Sequence, residues 1–220
     1  MGKLKALAVG VAAAAALAGS APAASADPGE VVHTTLRQAI ADLPVADENR
    51  TGYERTKFRH WVDADRDGCN TRAEVLIEEA VEPPTVSAGC VLTGGTWHSY
   101  YDDADQTEAR ALDIDHMVPL AEAWDSGASA WSAGERQAYA NDLDDERSLV
   151  AVTARENRRK ADQDPAEWLP SATGALCRYV TEWTAVKTRW GLSADWREAA
   201  ALVELAADCP DEELTVVLAR

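Results

Sequence analysis

An Asp-His pair near the middle of the chain and an Asn in a later basic segment are residue types that together can hydrolyse a phosphodiester. Asp115 and His116 end a short run that begins at Leu112, and Asn157 lies within the basic residues 153–160. A hard divalent cation prefers oxygen ligands, which a carboxylate and an amide carbonyl supply. The cation polarises the phosphoryl group, and a neutral imidazole can take a proton from water. These residues therefore indicate metal-assisted phosphodiester cleavage.

Two short strands are predicted to position the first of these residues. Residues 112–117 alternate apolar and polar side chains, as a half-buried strand does, so Asp113 and Asp115 share one face. Residues 148–152 form a second β-prone run. The stretch between the two strands, residues 120–147, is expected to be a mostly helical insertion.

A helix is predicted to follow the second strand directly. Thr153, with Glu156 three residues later, has the spacing of a capping box, which starts a helix by satisfying free backbone N–H groups. Asn157 and Lys160 are three residues apart, so they lie on one face of this helix. The residues that could carry chemistry thus lie on a strand, a second strand and a helix, in that order along the chain.

The longer pattern resembles the HNH, or ββα-metal, endonucleases. Within them it is similar to secreted actinobacterial proteins that share a domain with the C-terminal part of GmrSD-type restriction enzymes. Two stretches carry the resemblance, DIDHMVPLAEAW at residues 113–124 and DQDPAEW at residues 162–168. The resemblance implies an α+β fold with a ββα-metal core, a small β-hairpin region and surrounding helices.

The resemblance also implies a role for each candidate residue. Asp115 and Asn157 would hold a divalent cation, Mg²⁺ or Mn²⁺, and His116 would be the general base. Lys160 would bind phosphate together with neighbouring arginines, which are Arg155, Arg158 and Arg159. A segment upstream looks like its counterpart in the secreted HNH proteins, where Arg72 could reach the active site.

The chain departs from the family pattern at two positions near the site. Ser148 stands where HNH proteins often have the middle Asn or His of their motif, which tethers a loop. Ala161 stands where these proteins often have a Gly directly after the residue that matches Lys160. Both departures lie beside residues to which the resemblance assigns chemistry.

An acidic loop precedes this region. The EF-hand calcium loop is matched at its first, third, fifth, sixth and twelfth positions by Asp63, Asp65, Asp67, Gly68 and Glu74. An EF-hand also needs a helix on each side, and residues 59–62 are a poor candidate for the first one. Asp and Gly are equally common in solvated turns without metal. A structural Ca²⁺ and a plain turn both remain open.

The four cysteines suit two disulfides, because the count is even and the chain carries an export signal. Three pairings are formally possible, and proximity in sequence favours Cys69 with Cys90 and Cys177 with Cys209. A zinc site is the alternative reading. The spacings contain no Cys-x-x-Cys pair, so disulfides are the prediction.

The first 26 residues have the order of an export signal. Lys3 and Lys5 precede an apolar run too short to span a membrane, and residues 24–26 (ASA) form a small-residue cleavage site. We therefore expect a secreted protein that begins near Asp27 and has no membrane association.

The chain is strongly acidic. Its formal net charge is −17, which becomes −19 when Lys3 and Lys5 leave with the signal. Nucleic-acid binding depends largely on Lys and Arg side chains that displace counterions from phosphates. The field of the whole protein should therefore repel DNA, and any attraction must come from the basic side chains beside the candidate site.

We expect residues 27–220 to form one nuclease domain, with the HNH core at residues 91–170 and a helical extension at residues 171–220. Several local elements are predicted around that core. They are a helix at residues 31–43, a hairpin within residues 90–101 around Gly94-Gly95, a short helix from Asp164-Pro165, and tail helices that end at Gly191 and start at Ser193.

Three functions from different classes fit these observations. The preferred one is a secreted, monomeric HNH endonuclease whose partner is nucleic acid, DNA or RNA. The second is a catalytically silent, calcium-stabilised extracellular binding module, which would bind metal at the acidic loop and leave DNA intact. The third is a secreted toxin or effector nuclease, whose further partner would be an inhibitor protein.

Overall fold

The computed structural model of the protein describes residues 27–220, and the predicted export signal lies outside the described residues. Helices and short strands alternate along this part of the chain, which confirms the mixed α+β class. The strands are β1 (Val31–Thr35), β2 (Thr85–Ser87), β3 (Val91–Thr93), β4 (Trp97–Ser99), β5 (Ala104–Gln106), β6 (Leu112–His116), β7 (Leu149–Thr153) and β8 (Glu213–Val217). The α-helices are α1 (Leu36–Asp42), α2 (Thr71–Glu78), α3 (Leu120–Asp125), α4 (Ala133–Tyr139), α5 (Ala154–Lys160), α6 (Leu176–Trp190) and α7 (Trp196–Ala207).

The strands form antiparallel pairs rather than one large sheet. In the described part of the chain the pairs are β1–β8, β2–β3, β4–β5 and β6–β7. The β1–β8 pair joins the beginning of this part to its end, with Val31 opposite Val217. The helix prediction for residues 31–43 is therefore wrong in its first five residues. Residues 31–35 form a strand because β8 provides their hydrogen-bonding partner. The spacing of apolar residues within 31–43 contains no information about that partner.

The hairpin prediction around Gly94-Gly95 is also wrong in its pairing. Strands β3 and β4 flank these glycines, but β3 pairs with β2 and β4 pairs with β5. Gly95 has φ +88°, and a Cβ atom there would come 2.8 Å from the Trp97 side chain and 3.1 Å from Pro84. The glycine thus allows a close backbone approach between two hairpins, instead of forming the turn of one.

The two predicted disulfides are present. Cys69–Cys90 joins the loop before α2 to the turn before β3, and Cys177–Cys209 joins α6 to the residues after α7. The larger hydrophobic cluster surrounds α6, whose Trp183 is fully buried. A smaller cluster lies on one face of β6 and β7 and includes Ile114 and Leu149. The opposite face of β6 is therefore left for polar groups.

Side-chain caps and a left-handed residue mark the ends of three helices. Ser132 and Glu135 form the capping box of α4, and Gly191 ends α6 with φ +61°. Helix α7 is capped by Asp195 rather than Ser193, because the Asp195 side chain accepts from the N–H of Glu198. The short helix predicted from Asp164 is only a turn. Among the described residues, none of the helices has the length and apolar character that crossing a bilayer requires.

Candidate active site

The candidate site is built on the β6–β7 pair and on α5, which follows β7 without a loop. Asp115 lies opposite Val150 in the register of the two strands. The Thr153 side chain accepts a hydrogen bond from the backbone N–H of Glu156, which confirms the predicted start of α5. Because α5 begins as soon as β7 ends, it folds back onto β6 and contacts it.

Two contacts fix α5 against β6. The Asn157 side-chain Nδ2 donates to Oδ2 of Asp113 at 3.3 Å, and Nζ of Lys160 donates to Oδ2 of Asp115 at 2.6 Å. The two aspartates therefore share the face of β6 that is turned to α5. Asn157 and Lys160 share the helix face that meets it, one turn apart, as the sequence pattern indicates.

Asp115 is a buried carboxylate held from two sides. It is 4% exposed, and its Oδ2 accepts hydrogen bonds from Lys160 and from the hydroxyl of Tyr101 at 2.7 Å. Burial raises the pKa of Asp115, and the Lys160 ammonium opposes that rise. The 2.6 Å contact is the length of a charge-assisted hydrogen bond, so we describe the pair as ionised.

Lys160 is not available to a substrate. Its side chain is fully buried, and its Nζ also donates to the backbone carbonyls of His116 at 3.1 Å and Met117 at 2.8 Å. An ammonium has three N–H donors, and these three acceptors use all of them. Burial lowers the pKa of Lys160, and its contact with Asp115 offsets this effect. The predicted phosphate contact of Lys160 is therefore wrong, and Lys160 positions Asp115 instead.

His116 is held in a single tautomer by its environment. Its Nε2 lies 3.1 Å from the carbonyl oxygen of Ala140, which can only accept, so Nε2 carries the proton. Nδ1 is then the nitrogen with a free lone pair. Burial lowers the pKa of His116 to about 3, with a smaller contribution in the same direction from Arg55. The imidazole is consequently neutral at neutral pH.

One cleft brings the three central residues together. Asp115, His116 and Asn157 all line a cleft of about 300 Å³. A larger cavity, about 590 Å³, lies beside the β4–β5 turn, and its lining includes His98 and Arg178 but none of the three. We place the candidate site in the smaller cleft, because it contains the side chains that could carry out the reaction. The larger cavity contains none of them.

Within the described residues, two oxygen atoms of this cleft accept no hydrogen bond. Because the Asp113 carboxylate only accepts, the NH₂ group of Asn157 must face it, which leaves the amide oxygen of Asn157 free. Both contacts to the Asp115 carboxylate use Oδ2, and no donor within residues 27–220 reaches its Oδ1. A carboxylate oxygen and an amide oxygen therefore remain for a ligand.

The sequence pattern missed part of the cleft wall. Tyr53 and Arg55, from the segment before α2, line the same cleft. His60 and Trp61 also lie near the site, with ring centroids 6.5 Å and 5.6 Å from the His116 ring. No spacing rule connects these residues to the Asp-His pair. The one available signal is that Tyr53, Phe58 and Trp61 mark a return of the chain to the core.

The other predicted phosphate-binding arginines do not line the cleft. Arg155, Arg158 and Arg159 are exposed on α5, and each lies within 4.0 Å of a carboxylate. Arg72 donates to the backbone carbonyls of Ala109 and Leu112, at 3.2 Å and 3.0 Å. Arg72 therefore supports the start of β6, beside the site rather than within it.

The acidic loop is a separate feature. Carboxylate oxygens of Asp63, Asp65 and Asp67 lie within 4.8 Å of one another. A carboxylate oxygen of Glu74 lies within the same distance of one of Asp67. Oδ1 of Asp63 is buried without a hydrogen-bond partner among the described residues, while its Oδ2 accepts from Gly68 N–H at 3.2 Å. Within residues 27–220 no α-helix lies directly before the loop, where residues 55–57 form only one 3-10 turn, so α2 is the one flanking helix of the EF-hand template that is present.

A known protein family matches the part of the chain that contains most of these elements. Residues 72–205 match the model of the GmrSD restriction endonucleases, C-terminal domain. A protein of Arthroderma benhamiae, described as an uncharacterized secreted protein, is 38% identical over 177 residues, which cover 80% of this chain and 85% of that protein. No solved structure matches the chain. The matched stretch includes β6, β7 and α5, and it begins after Tyr53 and Arg55.

Proposed function

The chain belongs to the family of the GmrSD restriction endonuclease C-terminal domain, and we propose that it is a metal-dependent HNH-type endonuclease that hydrolyses phosphodiester bonds of DNA or RNA. One observation carries the proposal. A carboxylate, an amide oxygen and a neutral imidazole, from Asp115, Asn157 and His116, line one cleft. Family membership supports a nuclease, and this set of groups supports hydrolysis assisted by a divalent cation.

The residues of the cleft fit Mg²⁺ or Mn²⁺. Both ions prefer oxygen ligands, and the free oxygens of Asp115 and Asn157 are of that kind. When bound, such a cation would polarise the phosphoryl group and stabilise the leaving oxygen. Two protein ligands leave its remaining positions to water and phosphate. We propose Asp115 and Asn157 as these ligands.

His116 is proposed as the general base. Its Nδ1 takes a proton from the attacking water as the water oxygen bonds to phosphorus, while the bond from phosphorus to the leaving oxygen breaks and that oxygen takes up a proton from solvent. The hydrogen bond from Nε2 to the Ala140 carbonyl holds the ring in place and stabilises the positive charge that forms on it. Because burial keeps the imidazole neutral, the lone pair is present before the substrate arrives.

Lys160 and Tyr101 are proposed as positioning residues. Together they occupy one oxygen of Asp115 and leave the other facing the cleft. Removing the carboxylate from water costs solvation free energy, and its attraction to the Lys160 charge offsets that cost. The arrangement holds a ligand oxygen in place without help from flexible surface side chains. The exposed arginines of α5 each lie beside a carboxylate, so we assign none of them to a phosphate.

We also propose that the protein is exported and monomeric. The two disulfides and the relative described as secreted support export. A toxin or effector nuclease would use the same cleft and differ by an inhibitor protein as partner. Co-purification of such an inhibitor from the producing cells would favour the toxin.

The acidic loop is proposed as a structural Ca²⁺ site. The three clustered aspartates and the unpaired Oδ1 of Asp63 support it. Calorimetric titration with Ca²⁺ should show binding that Asp65→Asn weakens while leaving nuclease activity in place. Ca²⁺ binding without cleavage of any nucleic acid would favour the silent binding module instead.

The direct test of function is a cleavage assay on the mature protein, beginning at Asp27. Plasmid DNA, single-stranded DNA and RNA are each incubated with Mg²⁺, with Mn²⁺, with Ca²⁺ or with chelator. The proposal expects cleavage that requires a divalent cation and stops with chelator. Undiminished hydrolysis in excess chelator would remove the HNH mechanism.

A further inference from the structure

Tyr53 and Arg55 belong to a segment that precedes the family-matched residues 72–205 in sequence. This segment is nevertheless held against the candidate site. Arg50 forms ion pairs with Asp125 at 2.5 Å and with Asp162 at 2.6 Å, and so ties this segment to the ends of α3 and α5. Tyr53 packs against Trp124, with ring centroids 6.1 Å apart. The segment is therefore a fixed wall of the cleft.

Arg55 is the cation that this wall presents. It is exposed, and it is the one cationic side chain among the described residues that line the cleft. Within residues 27–220 no carboxylate lies within 4.0 Å of its guanidinium, whereas Arg50 beside it is fully engaged. A guanidinium without a carboxylate partner in residues 27–220 therefore lines the cleft that holds Asp115, His116 and Asn157.

We infer that Arg55 binds the substrate's scissile phosphate across the cleft from Asp115 and Asn157, and that the protein recognises about one phosphodiester rather than a long tract of nucleic acid. This inference rests on the proposed function. A guanidinium forms two parallel hydrogen bonds to phosphate oxygens, which orients the phosphate as well as holding it.

The charge distribution explains why the recognised unit is short. The arginines of α5 are paired with Asp102, Asp113 or Glu156, so their fields are largely cancelled. Lys160 is buried, and the whole chain has a formal net charge of −17. Proteins that hold 6 to 10 phosphates lose roughly 10³ to 10⁵ in affinity between 50 and 200 mM salt. With about one contact, the logarithmic salt slope should be about −0.7 for a single strand.

Binding without cleavage gives the first test. The affinity of a labelled single-stranded oligonucleotide is measured by fluorescence anisotropy in chelator, at several salt concentrations. Arg55→Ala should weaken binding about 10- to 100-fold at low salt, the span of a charge-assisted pair, and bring the salt slope close to zero. Arg55→Lys should restore part of the affinity. Arg197→Ala, which removes an exposed charge from α7, is the matched control and should behave as wild type.

Cleavage gives the second test, with magnesium and two substrates. Bis(p-nitrophenyl) phosphate contains one phosphodiester and no nucleotide, and the oligonucleotide contains many. Arg55→Ala should lower kcat/KM for both substrates by similar factors, because both present the same phosphate to Arg55. A thermal unfolding curve equal to wild type shows that the variant is folded.

The outcomes separate this inference from the proposed function. If the wild type cleaves nothing with any metal but binds the oligonucleotide through Arg55, the proposed function fails and the phosphate site stands. If the wild type cleaves and folded Arg55→Ala matches it in affinity, kcat/KM and salt slope, the assignment of Arg55 is overturned. A wild-type salt slope of −5 or steeper would overturn the short recognition unit.

Discussion

Nζ of Lys160 lies 2.6 Å from Oδ2 of Asp115, and both side chains are buried. Buried ion pairs of this kind are costly to break, because removing one partner leaves an unpaired charge in a medium of low polarity. The pair joins α5 to β6, so it links the stability of the fold to the orientation of a proposed metal ligand. Lys160 is thus part of the site without contact to the substrate.

Replacement of Lys160 should therefore affect stability first. Lys160→Met should lower the free energy of unfolding by about 3 to 5 kcal/mol, the range for breaking a buried pair. Arg158→Met is the control on the same helix, and its loss should stay below about 1 kcal/mol because Arg158 is exposed and its 3.7 Å pair with Asp113 is open to solvent. Urea unfolding followed by fluorescence measures both. A folded Lys160→Met protein of wild-type stability would show that the pair has no structural role.

The ionisation of His116 should be displaced far below its ordinary range. Burial lowers its pKa to about 3, so its ring signals in NMR should not titrate between pH 8 and pH 5. In the unfolded chain the same group takes up a proton near pH 6.5. The folded state is therefore favoured above that pH, and its free energy of unfolding should fall as the pH drops from 6.5 towards 3. A titration midpoint near 6.5 for His116 would contradict the buried, hydrogen-bonded ring.

Ala161, the residue after Lys160, has a backbone conformation that suits glycine. Its φ is +53° and its ψ −120°, where a Cβ atom is strained. Strain of this kind costs about 1 to 3 kcal/mol, and glycine adds an entropic cost of about 0.5 to 1 kcal/mol. Ala161→Gly should thus raise the free energy of unfolding by about 1 kcal/mol.

A second glycine substitution provides the control for Ala161. Ala200 is exposed within the regular helix α7, so Ala200→Gly should lower the free energy of unfolding by about 0.5 to 1 kcal/mol. Denaturant curves give both differences on the same scale. Destabilisation of similar size at the two positions would mean that Ala161 is unstrained.

The parts of the fold that could be predicted are those encoded by contiguous residues. The alternation in residues 112–117 and the Thr153 cap each report on one local segment, and both β6 and α5 follow from them. The β1–β8 pair could not be predicted in this way. Its stability comes from a partner at the other end of the described chain, and local spacing contains no information about it.

The same distinction applies to the site. Asp115, His116 and Asn157 were assigned by resemblance, and the structure brings them to one cleft. The position of Arg55 depends on how the segment before α2 packs, which no motif encodes. The resemblance assigns Lys160 to phosphate, but burial of a lysine depends on the acceptors that tertiary packing places around its Nζ, which a motif does not encode.

The most direct measurement of the central claim is single-turnover cleavage by His116→Ala, at saturating Mg²⁺ and enzyme. If Nδ1 of His116 accepts the proton of the attacking water, the rate should fall by about 10²- to 10⁴-fold, while calorimetric Mg²⁺ binding and oligonucleotide affinity stay near wild type. Asp115→Ala should instead weaken Mg²⁺ binding, and His98→Ala, which removes the exposed side chain of β4, should change neither property. A folded His116→Ala protein that cleaves at the wild-type rate would contradict the account.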